Sequence, residues 1–411
     1  MKPPSRVPAI FGAALAAVLP LADLRGAPSI DIPLTLEESA GVRRIAEPVT
    51  AGIPFPRGAV RDVERLRLFG PDGRMRPAHF RPVNRWWSDA STQLPSIQWV
   101  HVDFFADVEA GAKAVYRVGA SDAPAPPPPV PLLVEAKGDD VQVDTGRVRF
   151  TVHRTGPLLD APGLSGVDFL LREDERIYKA SQWDGSELTI EDQNPLRVVL
   201  KRTGAHGWVD RKDKALDYVV RIVAYAGQPH IRVIHSFVNR QGRSMSDHVR
   251  LDGLWLQGRL SAGAEPVSIE QLSSEPRRSG WFEAGGVGFG LRWFWQLYPK
   301  GFQVLPGGVA RLELFPETAR PQNIYTGVAK THEMVLSFGG GNLAAHLDHP
   351  LYAAAPPKWY TRDTGALGRL VESSPEAYRP EHWPLVQRYD RWLVACRDAV
   401  LAKRDRGFVF V

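Results

Sequence analysis

The chain has 411 residues, 51 Lys and Arg against 46 Asp and Glu, and a formal net charge of +5, so it is too long for one ordinary core and implies about two to three domains of roughly 100 to 200 residues each. No run of five or more like charges occurs, which argues against a nucleic-acid partner, whereas the mild basic excess, with a sequence pI near 9.3, suits an acidic ligand such as a uronate polymer. The lone thiol, Cys396, excludes an intramolecular disulfide framework and any Cys-based zinc site.

Taken in chain order, the first feature is an export signal. Lys2 and Arg6 precede an apolar run over 9–22, too short to cross a bilayer and about right for a signal-peptide core. Residues 1–27 are taken as that signal, with cleavage after Ala27 or after Ala22 both open, and the protein is expected to be secreted or periplasmic. No other stretch reaches membrane-spanning length, so no integral span is expected after signal removal.

Beyond this point the periodicity is mainly that of strands. Residues 30–36, 66–69, 96–104, 114–118, 141–152, 196–202, 217–224, 230–239 and 309–315 are short, rich in Val, Ile, Leu and aromatics, and bounded by Gly, Pro, Asn or Asp. Many short strands predict sandwich or barrel architecture. The run Ala123-Pro124-Ala125-Pro126-Pro127-Pro128-Pro129 cannot enter a sheet interior and reads as a semi-rigid spacer between two β domains. After Pro356-Pro357 the spacing of apolar residues turns helical over 385–402, with no internal breaker.

Several constellations can carry chemistry. Gly52 and Gly58 bracket Pro54 and Pro56, so the chain must turn out of a sheet there, either exposing Phe55 and Arg57 on a stiff loop or tucking Phe55 inward. Trp86-Trp87 lies in a Pro-containing irregular stretch and is a candidate sugar platform, with no more than one ring buried if the two face opposite ways. His206-Gly207-Trp208 reads as a loop that can bind sugar. Arg277-Arg278 sits in a Ser- and Pro-bounded loop and is the candidate carboxylate clamp. The glycines of Gly285-Gly286-Val287-Gly288-Phe289-Gly290 precede a strand-like aromatic run instead of opening a helix, which predicts a hairpin and no nucleotide cradle.

The densest cluster follows. Trp293-Phe294-Trp295-Gln296-Leu297-Tyr298-Pro299-Lys300 and Gly327-Val328-Ala329-Lys330-Thr331-His332-Glu333 crowd aromatic, basic and proton-transferring groups onto short β-like segments. Rings offer flat apolar faces to a pyranose, and Lys or His can pair with a carboxylate or move a proton. Strand alternation places Lys330, His332 and Met334 on one face and Thr331 with Glu333 on the other. Lys330, His332 and Tyr298 are therefore the candidate catalytic residues, and Arg277, Arg278, Trp86, Trp87, Lys300 and His206 the candidate substrate-binding residues. Each has a plain alternative as a core aromatic, a solvated loop charge or a strand-edge lysine. His332, His346 and His349 with their acidic neighbours lack metal-ligand spacing, so no metal or other cofactor is expected; calcium held by scattered oxygens is left unspecified.

The motif Val49-Thr50-Ala51-Gly52-Ile53-Pro54-Phe55-Pro56-Arg57-Gly58-Ala59, then Leu196-Arg197-Val198-Val199 leading to Gly204-Ala205-His206, then 218–237 and the two later segments, resembles the exo-acting rhamnogalacturonan lyases and their YetA-like relatives over roughly residues 30–400. The resemblance implies a mainly all-β chain: a RIFT-type β-barrel over 28–122, the spacer at 123–130, a large central β-sandwich over 131–354, and over 355–411 the short, incomplete start of a helical toroid. It also implies cleavage of a rhamnose- and uronate-containing polymer by β-elimination. An alternative is a noncatalytic carbohydrate-binding β-sandwich protein. The partner in either case is an acidic polysaccharide or oligosaccharide.

Overall fold

The structure, a computed structural model, describes residues 30–87, 95–209 and 213–404. The expected export signal lies outside the described residues. Within them the chain is mainly β: two sheet-built units, followed by one long helix.

The N-terminal unit packs a five-stranded antiparallel sheet against a three-stranded one. The larger runs Ala353–Ala354, Asp31–Glu37, Lys113–Ala120, Leu66–Phe69, Met75–Arg76; the smaller runs Arg44–Pro54, Ile97–Val108, Ala78–Arg85. Period-two alternation drives this: Ile32, Leu34 and Leu36 face inward while Asp31, Thr35 and Glu37 face out. Val49, Ala51 and Ile53 meet Val100, Val102 and Phe104 on the inner side of the smaller sheet. Phe55 is tucked into this core and Arg57 stays exposed, so of the two readings of the Gly52 to Gly58 motif the inward one holds.

After the proline stretch, strands between Leu133 and Ser337 form a two-layer sandwich. One layer runs Glu187–Gln193, Arg197–Gly207, Lys214–Tyr225, His230–Val238, Ala329–Ser337, Val287–Leu291, Trp281–Ala284. The other is centred on Leu164–Glu173, Gly253–Leu260, Val309–Phe315, Lys300–Leu305 and Val267–Gln271. Arg176–Lys179 joins the layers along one side by pairing with Leu164–Glu173 and, at Lys179, with Gly207. One continuous apolar core fills the space between them, with Phe169, Leu254, Phe302 and Leu312 from one layer meeting Leu200, Ile222, Val233 and Met334 from the other.

Three local expectations change. The stretch 141–152 is two strands, Asp140–Asp144 and Arg149–Val152, because Gly146 adopts φ 78° between them. The aromatic run after Leu291 is a turn and not a strand: Trp293 sits at φ 55° and the Leu297 N–H donates to the Trp293 carbonyl at 2.8 Å. Residues 351–360 return to the N-terminal unit, where Ala353–Ala354 pairs with Asp31–Glu37, Leu351 and Ala355 enter its core, and the Trp359 indole N–H donates to the Pro54 carbonyl at 2.8 Å. The domain boundary expected at 354/355 thus falls inside a segment that closes the N-terminal sheet. The helix Trp383–Arg404 exposes nearly its whole circumference, including Leu385 and Trp392.

Candidate functional site

Ala329–Ser337 is the strand on which the site is built. Its inward face carries Lys330, His332, Met334 and Leu336; its outward face carries Thr331 and Glu333. On the neighbouring strand His235 lies opposite His332 and Phe237 opposite Lys330. The facing layer supplies Lys300, whose strand continues inward with Phe302 and Val304. Lys300, Lys330, His332 and Tyr298 line one cavity of ≈ 420 Å³ at an end of the sandwich, together with Gln322 and Asn323 and an apolar wall that includes Phe237, Leu254 and Phe315. Two amines and an imidazole converge there, and among the described residues no carboxylate lines the cavity.

That composition sets the electrostatics. Lys300 is 1 % exposed, and its amine donates to the Leu314 carbonyl at 2.7 Å and the Pro299 carbonyl at 3.2 Å. Burial, reinforced by the charge of Lys330, holds it well below the usual lysine range. Lys330 is only partly covered, and burial lowers its amine as well. His332 is 4 % exposed; burial first, then the charges of Lys300, His235 and Lys330, keep its ring neutral far below the ordinary value. Neither nitrogen of His332 has a hydrogen-bond partner among the described residues, and the same is true of His235. An amine whose proton is held less tightly is more readily available to accept a proton or attack a carbon than an ordinary surface lysine.

Behind the cavity floor the imidazoles form a row. The rings of His332 and His235 lie 6.4 Å apart and those of His235 and His206 5.7 Å apart. His206 is fully buried at the end of Arg197–Gly207, where its Nδ1 donates to the Leu216 carbonyl at 2.9 Å. It is therefore not the loop residue the sequence suggested. The strand extends through Gly207, with a register shift between Ala205 and Gly207, and carries the ring inward, out of reach of any substrate.

The remaining candidates lie elsewhere. Arg277 pairs with Glu275 at 2.9 Å and covers the Trp295 ring at 4.2 Å, while the Arg278 N–H donates to Gln271 Oε1 at 2.9 Å. Neither arginine lines the lysine cavity, so the structure does not place them as its carboxylate clamp. Trp86 and Trp87 belong to the N-terminal unit. The Trp86 indole donates to the Phe55 carbonyl at 3.0 Å with Arg57 over its ring, and Trp87 is 79 % exposed. They present a surface separate from the cavity.

Sequence reasoning did not single out His235, although the alternation of Ile231, Val233, His235 and Phe237 sets one polar ring on an otherwise apolar face. It also missed Gln322 and Asn323, on a short strand, Gln322–Tyr325, that pairs only with His248–Leu251. Among the described residues no group of three or more His, Cys, Asp or Glu side chains is arranged to hold a metal ion.

Comparison with known proteins gives three kinds of likeness. Residues 132–264 match the family model described as the PcRGLX-like protein central beta sandwich domain. The chain is 24% identical over 279 residues to "Uncharacterized protein YetA" of Bacillus subtilis (strain 168), a match covering 63% of this chain and 30% of that protein, so the chain spans about a third of this relative's length. Two solved structures are similar in shape. A protein in the glycosyl hydrolase family 38 from Enterococcus faecalis has a TM-score of 0.48 at 10% identity, covering 79% of this chain and 47% of that one. An alpha-mannosidase from Enterococcus faecalis V583 has a TM-score of 0.45 at 8% identity, covering 82% and 45%. The family match ends before Lys300, so Lys300, Lys330 and His332 lie outside it.

Proposed function

We propose that this protein binds an acidic carbohydrate at the cavity between Lys300 and Lys330 and acts on it as a polysaccharide lyase, with a rhamnogalacturonan-type polymer as substrate. The observation that carries this reading is the convergence of two amines, from opposite layers of one sandwich, on a cavity lined, among the described residues, by no carboxylate. A uronate carboxylate entering that space meets only positive or neutral groups. Its arrival raises the proton affinity of both amines. The match of residues 132–264 to a PcRGLX-like sandwich domain supports a carbohydrate ligand.

In this reading Lys330, whose amine gives up its proton more readily because it is partly buried, acts in its uncharged form and removes the proton α to the carboxylate. The electron pair forms a carbon–carbon double bond as the β carbon–oxygen bond breaks. The leaving oxygen takes a proton from the Tyr298 hydroxyl at the rim of the cavity. No metal is assigned a part in these steps. The polymer is extracellular, so the same reading places the protein in the periplasm or outside the cell. Among the described residues no helix is long and apolar enough to cross a membrane.

The burial of Lys300 and His332 favours a second reading, in which the cavity binds without cleaving. Incubation with rhamnogalacturonan separates the two. Lyase action gives time-dependent near-ultraviolet absorbance from the unsaturated uronide, with a drop of roughly 10²- to 10⁴-fold in Lys330→Ala if Lys330 is the base. Saturable binding without absorbance supports the module, and absence of both rejects the carbohydrate reading.

A further inference from the structure

A lysine becomes a carbon nucleophile when its amine is uncharged, accessible and free of a carboxylate partner. Lys330 meets the last two conditions in its geometry, and burial favours the first. Its side chain is half-buried at the start of Ala329–Ser337 and, among the described residues, makes no hydrogen bond or ion pair. Phe237, Leu251, Leu254, Leu314, Phe315 and Ile324 supply apolar surface around the cavity. A second amine, Lys300, lies in the same cavity and is sealed from solvent. An apolar pocket that partly buries an amine is the arrangement that favours imine chemistry, because burial disfavours the protonated form.

We propose that Lys330 is an imine-forming amine, and that its cavity takes small aldehydes or ketones bearing an anionic group. The Lys330 Nζ lone pair attacks the carbonyl carbon, and the carbinolamine loses water. The carbon–oxygen bond breaks, the amine gives up its two protons, the oxygen leaves as water, and a carbon–nitrogen double bond remains. No oxidant or reductant is required. Lys300 supplies the anion contact: two N–H groups already donate to the Leu314 and Pro299 carbonyls, and protonation on arrival of an anion adds a third donor. The other titratable groups lining the cavity are Tyr298 and His332, with His235 behind; Gln322 and Asn323 are neutral. This inference uses the same cavity as the carbohydrate reading but does not rest on cleavage of a polymer.

Pyridoxal 5′-phosphate serves as the probe, being an aldehyde with an anionic group. The full chain is incubated with limiting probe at neutral pH, reduced with borohydride, and mapped by peptide mass spectrometry. The expected result is labelling of Lys330 severalfold above the exposed lysines Lys113 and Lys358, since burial lowers its amine. Lys330→Arg, which keeps a long basic side chain but has no amine, is expected to lose the cavity label alone. Lys300→Met is expected to reduce Lys330 labelling at neutral pH, since the anion contact is removed. Label spread over Lys113, Lys358 and Lys330 alike, or undiminished Lys330 labelling in folded Lys300→Met, overturns the proposal. The wild-type map decides the matter even if a variant fails to fold. Absence of lyase activity leaves the labelling result untouched, so the two readings fail separately.

Discussion

An imidazole sealed inside a β-sandwich is tolerated only as the neutral ring, and this protein seals three of them in a row. Burial holds His206 down at about 4, against 6.5 for a free ring, and keeps His235 and His332 well below 6.5 as well. The unfolded chain takes up protons on these rings near 6.5 while the folded chain does not, so stability falls as pH drops below 6.5 and keeps falling until about 4, where His206 titrates within the fold. At pH 5 the loss from His206 alone is about 2 kcal/mol. Urea midpoints at pH 7.5 and pH 5 are expected to show it, and His235→Phe to reduce it, since phenylalanine fills the space beside Phe169 and Phe237 without unpaired nitrogens. Lys300 has the matching alkaline signature. Its amine loses its proton well below the usual lysine range when folded, whereas the unfolded amine stays protonated up to about 10.4, so stability rises with pH between the folded value and the unfolded one. Lys300→Met is expected to flatten that rise and to stabilise the fold at pH 7 by about 1 kcal/mol, the removed desolvation cost outweighing two lost hydrogen bonds to carbonyls.

At the scale of the element, Ala329–Ser337 holds the sandwich and the site together, because it pairs with His230–Val238 on one side and Val287–Leu291 on the other while its inner face enters the core. Met334→Ala is expected to cost about 2 to 5 kcal/mol in chemical denaturation, and to disturb the lysine cavity through Lys330 and His332 on the same face. The helix Trp383–Arg404 behaves oppositely: Leu385, Tyr389, Trp392 and Val400 are exposed. Val394→Pro is expected to lower helical circular dichroism, at a local cost of about 3 kcal/mol, while leaving the β-sheet unfolding midpoint unchanged. These two elements also show what could be read from residues alone. The grouping of Lys330, His332 and Met334 followed from a period of two, and the helix from apolar spacing without a breaker. The Gly285-Gly286 turn followed from paired glycines, which take φ 56° and 79° between Trp281–Ala284 and Val287–Leu291. Arg292 to Leu297 misled because its aromatic content is that of a strand, while the turn depends on the positive φ of Trp293. His206 misled because a histidine beside glycine looks like a loop, and only the partner strand Lys214–Tyr225 shows it to be interior. The meeting of Lys300 with Lys330 is a tertiary contact between two layers, with no local signal.

Across the whole molecule, the two sheet-built units share a joint that is partly apolar and partly ionic. Phe105 of the N-terminal unit packs on Val199, Val223 and Tyr225 of the sandwich. Arg197 reaches Asp103 at 3.1 Å, Asn194 donates to the same carboxylate at 3.0 Å, and Gln228 donates to the Ala46 carbonyl at 2.7 Å. Beside a cavity of ≈ 200 Å³, His346 meets Glu47 at 2.7 Å, and Glu333 is bound by Arg292 at 2.7 Å and by Arg232 at 2.5 Å. Arg197→Ala strands the buried Asp103 and is expected to cost about 3 to 5 kcal/mol; calorimetry is then expected to resolve two unfolding transitions in place of one. Another consequence comes from the short Ala353–Ala354 strand that returns to Asp31–Glu37. During translation the first sheet emerges from the ribosome with that margin bare, and the segment that covers it is made only after the entire sandwich, so the nascent chain carries an unprotected edge throughout most of its synthesis.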